Sequence, residues 1–326
     1  MTEIARLAHV APSTVSRSLR DDPAIPLVRR TEIKRIAKEL GYQPNPLVST
    51  LMAQVHRGRR ADDPDHIAWI DLWPPGTSTP AVFMSEILGG ARQRARALGY
   101  DLEVHKAGEL SLSADRVRQI LLSRSQWGFI IPPVPEHAMN FPLLMTDLAG
   151  VTIGTSLVSP ALHRVTTNHF LSAQLAWDAL HAKGFKRIGL ALSPRMNSRL
   201  NGQWLGGYLA EPWRLGVEAP IPPLLVSASD ESKFFAWFRD HQPDAILLAE
   251  PLISAWAERC EANGSRPAIA WLALESKQSN VWGLDYRAEH IGAAAVDMVV
   301  AQIHRNERGS PAHPHTLLLD AVWTER

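Results

Sequence analysis

Apolar positions in the first forty residues recur at helical spacing. Ile4, Leu7 and Ala8 fall at i, i+3 and i+4, and beyond a short break Val15 and Leu19 fall at i and i+4. Neither segment is long enough to hold a helix alone. Their stripes are expected to pack on each other and on a third helix, in which Ile33, Ile36, Ala37 and Leu40 keep the same rhythm. Pro12 suits the first position of the second helix, where its missing N–H is not needed, and Gly41 supplies a stop after the third. Two short helices and a turn against a third make a helix-turn-helix, which places Ser13, Thr14, Ser16 and Arg17 on the outer side or near the start of its second helix. Hydroxyls and a guanidinium are the groups that meet phosphates and guanine edges.

From His66 onward the period changes. Short β-type runs at Ile67–Leu72, Leu102–Val104, Gly128–Pro132 and Gly150–Gly154 alternate with helical stretches, one through Ile87, Ala91 and Ala95 and another from Ala114 to Ser123. The rhythm restarts at Asn168 with a helix through Ala173, Ala176 and Leu180. It continues through strands at Arg187–Ala191, Asp244–Ala249 and Ala268–Leu272. Alternation of this kind predicts two doubly wound parallel sheets, hence two lobes with a cleft between them.

The ordered set TEIARLAHVAPSTVSRSL, then ELGYQPNP and a short segment containing Leu51, resembles the lactose-repressor/galactose-repressor (LacI/GalR) family of bacterial transcription factors. The resemblance is close over the first sixty residues and loose beyond them. It implies an all-α helix-turn-helix headpiece over residues 1–44, a hinge over 45–60, and an α/β core over 61–326 of the two-lobed, periplasmic-binding-protein-like kind. Three chain crossings would divide that core into a first lobe of about 66–157 plus 284–308 and a second of about 158–283 plus 309–326. The helix from Ala288 to His304 then belongs to the first lobe and a strand from Thr316 to Trp323 to the second. In the headpiece it implies that Ser13 and Arg17 read bases, that Pro12 shapes the contact, and that Thr14, Ser16 and Asn45 hold the DNA backbone. Leu51 would wedge into the minor groove from a hinge helix paired with that of a second protomer. The sequence departs from the family pattern at Ala11, where a capping serine is usual, and at Pro46-Leu47 and Val48 in the hinge.

Charge sharpens this division. Residues 1–60 hold eleven Lys or Arg against five acids, leaving 23 bases against 28 acids for the rest of the 326-residue chain. A basic head on a mildly acidic body suits a grip on a polyanion at one end. A single cysteine, Cys260, excludes an internal disulfide, the first residues open a helix rather than a signal peptide, and no apolar run reaches membrane-spanning length. A cytoplasmic protein without membrane contact is expected.

Catalytic signatures are missing: there is no Gly-x-Ser-x-Gly elbow, no His-Glu-x-x-His, no phosphate loop and no dinucleotide glycine fingerprint. His313 and His315 form the one tight histidine pair and read as a surface loop, so neither metal nor cofactor is expected. Ligand recognition is the better prospect. Arg199, in Arg199-Leu200-Asn201-Gly202, matches the family's Arg-x-x-Gly, whose arginine forks onto effector hydroxyls. Glu250 and Glu275 follow strands and stand near positions where the family has other polar residues. Among eleven tryptophans, Trp73, Trp204, Trp256 and Trp271 are placed at or just after strand ends, and Trp73 and Trp204 are expected to line a pocket, as suits a saccharide. The resemblance thus implies a homodimeric, effector-controlled regulator of an inverted-repeat operator, most simply a repressor. An exported sugar-binding protein, or a sugar-metabolising enzyme with an appended DNA-binding domain, is the alternative.

Overall fold

The computed structural model describes residues 2–19, 22, 24–40, 65–74, 81–106, 114–124, 126–135, 139–140, 147–217, 219–262, 264–274 and 280–325. The headpiece is three helices, α1 (Thr2–Leu7), α2 (Pro12–Leu19) and α3 (Leu27–Glu39). Ile4, Ala5, Ala8, Val15, Ile33, Ile36 and Ala37 close its core. Leu7 and Leu40, expected inside, are exposed. Helix α1 turns Ala5 inward in place of Leu7, and Leu40 lies past the last turn of α3 as its cap. His9 takes a positive φ of 51° and lets Val10 N–H return to the Ala5 carbonyl, which ends α1 and aims α2. The Arg29 guanidinium donates to the Ala8 carbonyl at 3.0 Å and pins α3 to that corner.

The core runs β1 (Asp65–Asp71), α4 (Ala81–Ala97), β2 (Tyr100–Lys106), α5 (Ala114–Ser123), β3 (Gln126–Ile131), β4 (Met139–Asn140), β5 (Ala149–Ile153), β6 (Leu157–Ser159) and β7 (His163–Thr167). It continues with α6 (His169–Ala182), β8 (Ile188–Leu192), α7 (Pro194–Arg199), α8 (Gln203–Arg214), β9 (Leu224–Leu225), α9 (Glu231–His241), β10 (Ala245–Leu248), α10 (Pro251–Ala257) and β11 (Ala268–Trp271). β12 (Trp282–Asp285), α11 (Ala288–Arg305), β13 (Thr316–Leu319) and β14 (Val322–Glu325) complete it. One sheet has the order β13-β7-β5-β3-β1-β2, all parallel. The other has β14-β12-β11-β10-β8-β9, parallel except for β14 against β12. The short β4 and β6 pair with each other.

Strand pairing moves two expected boundaries. β7 pairs with β5, so the first lobe extends through Thr167 and the chain crosses at Asn168 rather than near residue 158. The expected strand from Thr316 to Trp323 is two strands: β13 joins β7 in the first sheet and β14 joins β12 in the second, with Asp320-Ala321 as the crossing between them. The reason is visible at the crossing, where Asn168 N–H donates to the Leu319 carbonyl at 2.8 Å and Asn168 Nδ2 to Asp320 Oδ1 at 3.1 Å. These bonds use β13 to finish the first sheet before the chain leaves it.

Both sheets have buried central strands, as parallel sheets covered on two faces require. One apolar cluster runs from Ile67 and Val151 of the first sheet, past Tyr286 and Ala321 at the crossings, to Leu190 and Leu247 of the second. Helix α11 covers the first sheet and presses on α4 so closely that a Cβ on Gly292 would stand 1.9 Å from the Ile87 carbonyl oxygen. By contrast, a Cβ on Gly89 would meet nothing within 4 Å. Gly292→Ala is therefore expected to cost about 1–3 kcal/mol by forcing the helices apart, whereas Gly89→Ala adds up to about 1 kcal/mol through helix propensity. Thermal unfolding followed by circular dichroism checks both, and equal midpoints for the two variants would refute the close helix contact.

Candidate functional site

In the headpiece, α2 presents Pro12, Ser13 and Arg17 to solvent and leaves Thr14 and Ser16 half-buried, while Val15 is fully buried beneath them. Pro12 is the first residue of the helix. The amides of Thr14 and Val15 bond to the Ala11 carbonyl at 2.9 and 3.2 Å, so the helix begins without a side-chain cap from that alanine. Arg17 Nε donates to Asp22 Oδ2 at 2.7 Å, and this bond, with the carboxylate's charge, raises the arginine's pKa. The two exposed hydrogen-bonding side chains of α2, Ser13 and Arg17, thus lie on a rigid three-helix base. Asn45 and Leu51 lie outside the described residues.

In the core, the chain reverses its direction of sheet growth twice. β2 lies on one side of β1 and β3 on the other; likewise β9 and β10 flank β8. Crevices at such switch points, beyond the carboxyl ends of the strands, are where open α/β sheets take ligands. Trp73 follows β1 and Val134-Pro135 follow β3, while Arg199 ends the helix after β8 and Glu250 follows β10.

The structure brings several of these residues together. Arg199 Nη1 donates to the carbonyls of Val134 and Pro135, each at 2.7 Å, and its guanidinium stands 5.9 Å from the Trp73 ring centroid. Trp73 is mostly buried, with its indole N–H donating to the Pro133 carbonyl at 2.7 Å. Thr155, beyond β5, donates to the Arg199 carbonyl at 2.6 Å. Burial, followed by repulsion from Arg195, lowers the Arg199 pKa. Glu250 Oε2 accepts from the Ser193 amide at 2.8 Å and so ties the end of β10 to the start of α7. Its carboxylate thus acts on local backbone. Glu275 lies outside the described residues.

Trp204 and Trp256 depart from expectation, since they sit within α8 and α10 and not at strand ends. Trp204 is buried edge-on against His169, with ring centroids 5.5 Å apart. That contact belongs to a cluster that sequence reasoning missed. His169 Nδ1 lies 3.3 Å from the Tyr286 hydroxyl, the two rings meet edge to face, and Phe83 of α4 packs edge-on against Tyr286. His169 and Tyr286 occupy two of the chain crossings, and each follows the last polar residue of a strand exit, Asn168 and Asp285.

Among the described residues no group of three or more His, Cys, Asp or Glu is placed to hold a metal ion, and no helix is long and apolar enough to cross a membrane. His315 instead donates its amide to His163 Nδ1 at 2.9 Å, tying the start of the edge strand β13 to its neighbour β7.

Residues 1–45 match the model of the family described as bacterial regulatory proteins, lacI family. A ribose operon repressor of Haemophilus influenzae is 24% identical over 197 residues, covering 58% of this chain and 53% of its own length. The HTH-type transcriptional regulator PtxS of Pseudomonas putida is 22% identical over 327 residues, covering 95% and 91%. Among solved structures, the transcriptional regulator CelR–cellobiose complex superposes with a TM-score of 0.54 at 17% identity, covering 98% of this chain and 97% of that one. The lac repressor dimer bound to operator and the anti-inducer ONPF superposes with 0.54 at 18%, covering 99% and 96%. These likenesses establish the fold of headpiece and core alike.

The buried His169 yields a prediction about pH. Burial pushes its pKa down from 6.5 to about 4, so the unfolded chain binds the proton more readily. The associated stability is complete above about pH 6.5, declines as pH falls through that value, and is fully lost below about pH 4, a total on the order of 3 kcal/mol. Urea unfolding of His169→Gln and the parent between pH 4 and 7 should show a shallower acid slope in the variant. Parallel slopes would contradict the neutral, buried histidine.

Proposed function

We propose that this chain, a lacI-family regulator by its first 45 residues, represses transcription as a homodimer gripping an inverted-repeat operator, under the control of a small molecule held between its core lobes. The relatives it matches are transcriptional regulators and not enzymes, which favours this reading over a sugar-metabolising one. The observation that carries the proposal is a convergence: Trp73 and Arg199, from the switch points of two different sheets, meet across the interlobe cleft of a protein whose other end is a DNA-binding headpiece.

In this reading Ser13 and Arg17 contact base edges, Pro12 sets the start of the reading helix, and Thr14, Ser16 and Asn45 hold the DNA backbone. Arg17 exchanges the Asp22 carboxylate for guanine acceptors, a substitution of one charge-assisted or bidentate partner set for another. Leu51 wedges the minor groove from the hinge. In the cleft, Arg199 donates to effector oxygens, Glu250 and Glu275 accept from its hydroxyls, and Trp73 supplies apolar surface, whereas Trp204, expected beside it, is buried against His169. A sugar or sugar derivative fits these groups, and the superposed CelR structure is a complex with cellobiose. Because Arg199 also bonds the backbone of the opposite lobe, a ligand that takes up its donors changes the energy of lobe contact. Differential affinity of that kind is what effector control requires.

Arg17→Ala is expected to abolish binding to an operator fragment recovered by genome-wide footprinting while leaving the effector-induced change in tryptophan fluorescence intact. Arg199→Ala is expected to do the reverse. Normal operator binding by Arg17→Ala, or turnover of a sugar by the purified chain, would defeat the proposal.

A further inference from the structure

Several core arginines are matched to a carboxylate: Arg94 to Asp297, Arg118 to Asp147, Arg214 to Asp178 and Glu211, Arg259 to Glu231, and Arg305 to Glu307. Two in the cleft are different. Arg195 and Arg199 stand one turn apart on α7, the spacing that puts side chains on one helix face. Arg195 Nη2 donates to the Pro135 carbonyl at 3.1 Å, the same oxygen that accepts from Arg199 Nη1. Two guanidiniums therefore converge on one uncharged acceptor across the lobe boundary, and among the described residues neither has a carboxylate within ion-pair distance.

Arginines bonded to backbone carbonyls occur elsewhere in the chain. Arg164 reaches the carbonyls of Gly154 and Leu157, and Arg308 those of Trp127 and Asp147. Each of those acts alone and within a single lobe, as a brace. Among the described residues two meet on one carbonyl only in the cleft, and there the charge of Arg195 and the burial of Arg199 both work against the Arg199 cation. Like charges brought together in a partly desolvated crevice raise the energy of the empty site, and an anion between them removes that penalty. A planar guanidinium also forms shorter and stronger bonds to carboxylate or phosphate oxygens than to a peptide carbonyl. The carboxylate of Glu250 accepts from the Ser193 amide and makes no ion pair with either arginine.

We infer that the effector carries an anionic group, a carboxylate or a phosphate, held jointly by Arg195 and Arg199, so that the cleft takes acidic sugar derivatives in preference to neutral sugars. This rests on the reading of the cleft as the effector site and narrows its ligand class. The anion competes with the Pro135 carbonyl for both arginines, which couples its binding to the interlobe contact. Arg195 is thereby a specificity-determining residue that the Arg-x-x-Gly signature alone does not mark.

Calorimetric titration of the full chain at constant ionic strength tests it, with sodium aldonates, uronates and sugar phosphates of the common hexoses and pentoses, each run beside its neutral parent. At least one acid should bind about tenfold or more tightly than its parent. Arg195→Gln should remove that preference and Arg195→Lys restore part of it, with near-ultraviolet circular dichroism reporting that both variants keep the parent fold. The carboxylate and phosphate arms separate the two sources of charge. A neutral sugar binding as tightly as its acid, or Arg195→Gln keeping the acid's affinity, would overturn the inference and leave the proposed function standing. Binding of no sugar of either kind would bring down both.

Discussion

The arrangement depends on the way the chain changes lobes. At Asn168 one residue serves both: its amide closes onto the Leu319 carbonyl of the first sheet, its Nδ2 bonds Asp320 at another crossing, and its Oδ1 accepts from the Leu171 amide at the start of α6. The remaining crossing is packed by Tyr286 against His169, under Phe83 from the first lobe and beside Trp204 from the second. Backbone polar groups that would otherwise be orphaned at the lobe boundary are satisfied across it. As a result the strand ends of two independent sheets are held opposite each other, and Trp73, Pro135 and Arg199 meet although they come from three separate segments of the chain.

That crevice is shallow in energy compared with what surrounds it. The strands behind it are fully buried, whereas the contact across it consists of arginine bonds to carbonyls and a cation over an indole. Interactions of this sort contribute modestly in a partly wet site and are easily exchanged for ligand contacts. A rigid pair of sheets joined by a replaceable polar contact is the combination a switch requires, because the sheets hold their shape while the contact can be traded.

Much of this was visible in the residues. Apolar runs such as Ile67–Leu72 and Asp244–Ala249 announced central strands because parallel strands are buried on both faces. β7 was hidden, since His163-Arg164-Val165-Thr166-Thr167 carries a single large apolar side chain and earns its place through pairing with β5 and β13. The helices over Gln203–Arg214 and Glu231–His241 also escaped, though Phe234, Trp237 and Phe238 form a buried stripe in the latter. For the cleft, the Arg-x-x-Gly pattern singled out Arg199. Its partners are backbone carbonyls 64 and 65 residues away, and backbone leaves no residue-type signature. His169 and Tyr286, 117 residues apart, were likewise beyond any local pattern.

In the proposed DNA-reading role, the bond between Arg17 and Asp22 has a bearing on how the headpiece would search a genome. On random duplex the carboxylate would stay near the groove and repel phosphates, so the guanidinium would gain little by leaving it, and loose association would be weak and brief. Only a base step offering two well-placed acceptors repays the exchange. A short internal tether of this kind trades overall grip for discrimination, shortening the time lost at the vast excess of wrong addresses.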